Sequence, residues 1–136
     1  MKVLITGTTQ GIGKAIAELF LQKGSSVVGI DRQSASISHE RYTHYVCDVR
    51  DKDALPDIED VDILINNAGT QNEEDIDINL KGLICVTEKY GVREGIRSVL
   101  NTGGGRYCYG GNFCCGIVYH STDYFGGGHH VHKRYL

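Results

Sequence analysis

Three consecutive apolar residues, Val3-Leu4-Ile5, open the chain, and the pattern then breaks into Thr6-Gly7-Thr8-Thr9-Gln10-Gly11-Ile12-Gly13. An amphipathic run follows directly, Lys14-Ala15-Ile16-Ala17-Glu18-Leu19-Phe20. The change of period predicts a strand over residues 3–6 and a helix over residues 12–23, ended by Gly24 as a C-terminal cap. The alternation continues. Residues 26–30, 42–47 and 61–65 read as strands two, three and four, with a short helix within 52–55 that breaks at Pro56. Residues 77–93 have helical spacing, with Ile78, Leu83, Ile84 and Val86 as the apolar face, and Ser98-Val99-Leu100 reads as a fifth strand. Short strands alternating with helices imply a parallel sheet covered on both faces, a doubly wound α/β domain.

Beyond Asn101 this grammar stops. Gly103-Gly104-Gly105, Gly110-Gly111 and Gly126-Gly127-Gly128 punctuate a segment rich in tyrosine, cysteine and histidine, with no sustained helical period. Glycine carries the largest backbone entropy cost on ordering, so regular structure is not expected there. The chain therefore divides into an α/β domain over residues 1–102 and an irregular tail over 103–136 that is not a separate domain. A fifth strand without a neighbour would leave the sheet edge open, and the expectation is weak stability, self-association, or both.

Length and charge narrow the picture. The 136 residues suit one domain with a real core. A net charge of −3, with charges scattered, gives no nucleic-acid or anionic-membrane signature. No apolar run approaches the length of a bilayer span, and the chain begins at once on a strand with no room for a leader, so a cytoplasmic protein is expected. The five cysteines lack regular spacing, which fits a reducing compartment. Cys108, Cys114, Cys115, His120, His129, His130 and His132 are all possible metal ligands, yet their spacing does not match the paired grammar of zinc sites. No metal site is expected.

Strand, glycine turn and helix together form an arrangement that holds a pyrophosphate on backbone N–H groups at a helix N-terminus. One glycine makes the tight turn, one admits the phosphates, and one lets helix and strand pack closely. Asp31 ends strand two about twenty residues after that turn, where a carboxylate accepts both hydroxyls of an adenosine ribose and repels a 2′-phosphate. NAD is therefore expected over NADP, although Arg32 beside it offers a guanidinium to adenine or to a phosphate.

Thr6-Gly7-x-x-x-Gly11-x-Gly13, Asp48-Val49 and Asn66-Asn67-Ala68-Gly69, in this order and separation, resemble the short-chain dehydrogenase/reductase family, as does Asn79-Leu80-Lys81-Gly82. The likeness covers about the first hundred residues and implies a Rossmann-type sheet, incomplete on its C-terminal side. Carried over residue by residue, it implies that Gly7, Gln10, Gly11, Ile12 and Gly13 wrap the pyrophosphate and that Asp31, with Arg32 next to it, holds the adenosine ribose. Asp48 and Val49 would flank the adenine, and Asn67, Ala68 and Gly69 would line the path to the nicotinamide ribose. The Asn66-Asn67 amides would also tie strand ends together. Asn79 would belong to the catalytic set, bending its helix and anchoring a water in a proton relay.

The family moves a hydride between nicotinamide and an alcohol or carbonyl carbon. A tyrosine handles the proton, a lysine one helical turn later favours its phenolate, and an upstream serine positions the substrate oxygen. In this chain no tyrosine after residue 101 has a lysine four positions on. Tyr119 is followed at that distance by Asp123, and Gly103-Gly104-Gly105 stands where the serine would fall. The expectation is a truncated or frame-shifted dehydrogenase that binds NAD and does not catalyse. The alternative is a non-catalytic NAD-binding or regulatory module.

Overall fold

A computed structural model describes residues 1–70, 76–102 and 119–120. Its strands are β1 (Lys2–Thr6), β2 (Ser26–Asp31), β3 (Tyr42–Val46), β4 (Ile63–Asn66), β5 (Ser98–Asn101) and β6 (Tyr119–His120). They form one sheet in the order β3-β2-β1-β4-β5-β6. β1 to β5 are parallel, and only β6 runs antiparallel. The chain leaves β1 toward β2 on one side, whereas β4 lies on the other. This reversal beside β1 opens a crevice at the C-terminal strand ends, the place where doubly wound sheets bind ligands.

Alternation along the strands divides the core between two faces. Val3, Ile5, Val27 and Ile65 pack with Ala17 and Leu21 of α1 (Gly11–Gln22). Leu4, Val28, Ile30, Leu64 and Val99 pack on the opposite face with Val49, Ile58, Ile78, Val86 and Tyr90. The period of two along each strand thus feeds both layers, as a doubly covered parallel sheet requires. α1 ends in a paired cap: the Ser25 N–H donates to the Phe20 carbonyl and the Gly24 N–H to that of Leu21, with Gly24 at φ +85°. This is the left-handed stop expected of Gly24. Among the described residues no helix is long and apolar enough to cross a membrane.

The second helix differs from expectation. It is one α turn, Leu83–Val86, between two π-helical stretches, Ile76–Gly82 and Thr87–Gly91. Hydrogen bonds from i to i+5 wind more residues into each turn, so the inward face repeats every four positions: Ile78, Gly82, Val86 and Tyr90. Ile84, assigned by its α spacing to the apolar face, is instead exposed, and Leu83 is half-buried. The helix expected within 52–55 is a turn. The Asp51 carboxylate accepts the Ala54 N–H at 3.1 Å, and Pro56 follows at once, which leaves no room for a second turn.

A further correction concerns the sheet edge. Ser98 and Val99 pair with His120 and Tyr119, so β5 is not an open edge at those two residues. That pairing also places a short strand in a tail expected to be irregular. The remaining tail features, including the glycine runs, Asp123, Cys108, Cys114, Cys115, His129, His130 and His132, lie outside the described residues.

Among the described residues Tyr90 is the largest fully buried side chain. Its hydroxyl donates to the Pro56 carbonyl at 2.5 Å, and the Arg93 guanidinium lies 5.5 Å from the ring centroid. Burial pushes the phenol well above its ordinary ionisation range, with the Arg93 charge opposing. An acid that is harder to ionise in the folded chain stabilises the fold below its unfolded pKa of about 10. That contribution is lost as pH rises through the folded value. Tyr90→Phe is expected to cost about 1 kcal/mol at pH 7 and to shrink the loss of stability above pH 10. Urea midpoints measured at both pH values test this.

Candidate functional site

A cleft of about 540 Å³ lies at the C-terminal ends of β1, β2 and β4. Its floor is the glycine turn, which three different demands shape. Gly7 at φ +75° receives an ideal Cβ only 2.9 Å from Ala68 Cα, so both its conformation and its neighbours require glycine. Gly11 at φ +60° has open space around it, and only its backbone conformation matters. Gly13 has an ordinary φ but no room: a Cβ would stand 2.0 Å from the Gly7 carbonyl oxygen and 2.3 Å from Asn67 Nδ2.

α1 begins at this floor without a side-chain cap. Gln10 at its N-cap is extended and makes no capping bond, and no acidic residue lies in the first turn. The first N–H groups of a helix have no intrahelical acceptor, and the macrodipole adds partial positive charge there. The cleft therefore presents backbone donors to an anion.

Of the residues singled out from sequence, Gly7, Gln10, Gly11, Ile12, Asp31, Arg32, Asp48, Val49, Asn67, Ala68, Gly69 and Asn79 all line this one cleft. Gly13 does not line it and lies behind it as a packing residue. At one end, Asp31 accepts the Thr9 N–H on Oδ2 and the Gln33 N–H on Oδ1, each at 3.0 Å. A carboxylate offers about four lone-pair sites, so acceptor capacity remains for a ligand. Nearby, the Arg50 guanidinium donates to Asp48 Oδ2 at 2.7 Å and to Oδ1 at 3.0 Å. Those hydrogen bonds hold the Asp48 carboxyl below the usual carboxylate range, against the opposing effect of burial. Cys47 also lines the cleft; burial first, then the Asp51 and Asp48 charges, pushes its thiol up and away from the reactive thiolate.

The segment after β4 is held from below. The Thr6 hydroxyl, buried in β1, accepts the N–H groups of both Asn67 and Ala68 at 3.0 Å. Asn67 Nδ2 donates to the Gly7 carbonyl at 3.1 Å, and its Oδ1 accepts the Thr102 hydroxyl at 2.9 Å. Asn66 points into the protein and ties strand ends, donating to Thr87 Oγ1 and to Asn101 Oδ1. The two asparagines thus divide the work: Asn66 is structural, whereas Asn67 both braces the glycine turn and faces the cleft. Asn79 uses both ends of its amide on the backbone of Thr70, accepting its N–H at 2.8 Å and donating to its carbonyl at 2.9 Å. It stands in the π-wound part of the second helix, and Gly82 one turn on admits Val49, whose Cγ2 would be 2.6 Å from a Cβ.

Sequence reasoning missed Thr70 and Thr102, which line the cleft, and the bracing role of Thr6. Thr6 was visible as the first residue of the glycine motif. The other two gave no signal, since neither belongs to a recognisable motif, and the Thr102 partner, Asn67, lies 35 residues away.

Strand order, glycine turn and a cleft at the switch point define a Rossmann-type doubly wound domain. The profile of the short chain dehydrogenase family matches residues 1–90, and the chain belongs to that family. It is 30% identical over 130 residues to a 3-oxoacyl-acyl-carrier-protein reductase of Thermotoga maritima, covering 72% of this chain and 53% of that protein. It is 35% identical over 107 residues to the NAD+ 15-hydroxyprostaglandin dehydrogenase of Bos taurus, covering 62% of this chain and 40% of that protein. The closed form of a serine dehydrogenase complexed with NADP+ superposes with a TM-score of 0.65 at 29% identity, over 80% of this chain and 57% of that one. The chain thus spans about half the length of relatives it matches.

Proposed function

We propose that this chain binds a nicotinamide dinucleotide in the cleft, NAD in preference to NADP. One observation carries the reading: an uncapped helix N-terminus opens into a cleft that the Asp31 carboxylate also lines. The backbone at Gly7, Gln10, Gly11 and Ile12 would receive the pyrophosphate, with Gly13 keeping the helix close. Asp31 would accept the adenosine ribose hydroxyls beside Arg32, and Asp48 and Val49 would flank the adenine. Asn67, Ala68 and Gly69 would lead to the nicotinamide ribose, with Asn79 bracing that end through Thr70. Relatives in the family include proteins named for NAD+ and one bound to NADP+, so the choice of dinucleotide rests on Asp31.

The activity that accompanies this cofactor is hydride transfer between nicotinamide and an alcohol or carbonyl carbon. The cofactor would supply the hydride chemistry; the residues described here would bind and orient it. We place turnover outside this chain as written, because past residue 101 no tyrosine stands four residues before a lysine. A non-catalytic dinucleotide-binding module is favoured by the same observation. A frame-shift near residue 101 would also produce it. Translating the encoding DNA in the other two frames distinguishes these, since a serine followed by Tyr-x-x-x-Lys should appear only under the frame-shift. A cytoplasmic address fits the reading.

Fluorescence titration with NADH and NADPH tests the cofactor assignment. The wild-type chain should saturate with NADH at lower concentration than with NADPH. Asp31→Asn removes the charge that repels a 2′-phosphate and weakens the ribose contact. It should raise the Kd for NADH about tenfold and bring the two dinucleotides close together, the effect of one charge-assisted hydrogen bond. Saturation by neither would sink the proposal.

A further inference from the structure

We infer that Tyr42 and His44 are positioning residues for Asp31, closing a hydrogen-bonded ring that fixes the carboxylate end of the cleft. The functional meaning of that end rests on the dinucleotide reading; the ring itself does not. It starts at Thr8, fully buried in the glycine turn, whose Oγ1 lies 2.8 Å from the Tyr42 hydroxyl. That hydroxyl lies 2.8 Å from His44 Nδ1, and His44 Nε2 lies 2.8 Å from the Gln33 carbonyl oxygen. The Gln33 N–H then donates to Asp31 Oδ1, and Asp31 Oδ2 accepts the N–H of Thr9. The peptide between Thr8 and Thr9 closes the circuit. Ser36 adds a second tie across it, its hydroxyl donating to the Thr9 carbonyl at 2.5 Å.

The direction of the bonds follows from one end. A carbonyl only accepts, so in a neutral His44 the proton sits on Nε2 and Nδ1 is the acceptor. Tyr42 must then donate to Nδ1, which leaves its oxygen to accept from Thr8. The bonds along the path thus run in one direction, with the Tyr42 hydroxyl accepting from Thr8 and donating to His44. Burial raises the ionisation range of Tyr42 against the opposing Thr8 hydrogen bond, and the nearby Asp31 charge adds to burial, so the phenol keeps the proton it donates.

A second observation comes from the residue type that stands beside the ring. Gly29 lies in the middle of β2, in register with His44 on β3, and a Cβ there would stand 2.2 Å from the Tyr42 hydroxyl and 2.4 Å from Thr8 Oγ1. Glycine inside a strand weakens it and often marks a close approach of another group. Here the approaching group is the central link of the ring. The ring thus joins the glycine turn, β3 and the turn after β2, and Asp31 and Gln33 both line the cleft. Without it, Asp31 keeps its two backbone donors, but the turn carrying one of them loses its tether to β3.

The test is amide hydrogen exchange on the full, unliganded chain, comparing wild type with Tyr42→Phe and His44→Gln. Tyr42→Phe keeps the ring system packed beneath α1 and removes only the hydroxyl. Exchange at the Thr9 and Gln33 amides should speed up about threefold to tenfold, the factor of roughly one hydrogen bond, while the Val3, Leu4 and Ile5 amides stay unchanged. His44→Gln retains one donor and one acceptor and should give a smaller change. In the titration, Tyr42→Phe should weaken NADH more than NADPH, narrowing their ratio. Unchanged exchange at Thr9 and Gln33 overturns the inference, and so does equal acceleration throughout the sheet, which would mean lost packing only. A wild-type chain that binds neither dinucleotide would count against the cofactor assignment alone, because the exchange data still decide the ring.

Discussion

Alanine at position 13 is expected to destabilise the domain by about 3 kcal/mol or more and to abolish measurable dinucleotide binding. The added methyl would lie 2.0 Å from the Gly7 carbonyl oxygen and 2.3 Å from the Asn67 amide nitrogen. The carbonyl belongs to the backbone, so it cannot swing aside as the end of a long side chain can. Either α1 moves away from β1 or the glycine turn deforms, and each opens the core under Ala17 and Leu21. Gly11→Ala provides the contrast. A Cβ at position 11 meets nothing, so its cost is the left-handed backbone alone, about 1 to 2 kcal/mol. Thermal unfolding of both variants, with NADH titration of whichever folds, gives the comparison. Equal costs for the two would show that close packing at Gly13 has been misread.

The second large effect is expected at Thr6→Val, a change of nearly equal volume. Valine removes the single acceptor shared by the Asn67 and Ala68 N–H groups in a place where Thr6 is 1% exposed. A buried donor left without a partner costs about 1 to 3 kcal/mol, so two such donors should cost roughly 2 to 5 kcal/mol together. Thr6→Ser keeps the hydroxyl and should lose only the packing of a methyl, about 1 kcal/mol. Chemical denaturation of the two variants decides the matter, and similar losses for both would mean that the hydroxyl is not the brace.

Much of the sheet was legible because local pattern and final environment agree. Val3-Leu4-Ile5 is apolar on both sides because both faces of β1 are covered, and Gly24 ends α1 in the conformation its residue type favours. Most of the residues lining the cleft were legible for a related reason: the glycine turn, Asp31 and the segment after β4 are each short and local. What escaped was whatever depends on a partner far along the chain or on hydrogen-bond offset. Apolar spacing over residues 77–93 announces a helix but hardly separates a period of 3.6 from one slightly above four, and Ile84 fell on the wrong face as a result. Tyr42 and His44 looked like ordinary strand residues, because Thr8 and Gln33 meet them only after the sheet has formed. The pairing of β5 with Tyr119–His120 left no trace in periodicity, since two residues are too few to establish one.

The missing cap on α1 has a consequence for how long the protein survives once made. A helix whose first donors have no side-chain cap and face the cleft is completed by an anion, so a bound phosphate group would serve as its cap. A ligand that binds only the folded chain adds about 2.7 kcal/mol of stability at a hundred times its Kd. Proteases act on the opened chain, and its population falls by about a hundredfold for that gain. With the proposed cofactor, the lifetime of the chain in a cell would follow the supply of nicotinamide dinucleotide, and its abundance would report that supply whether or not it turned over a substrate.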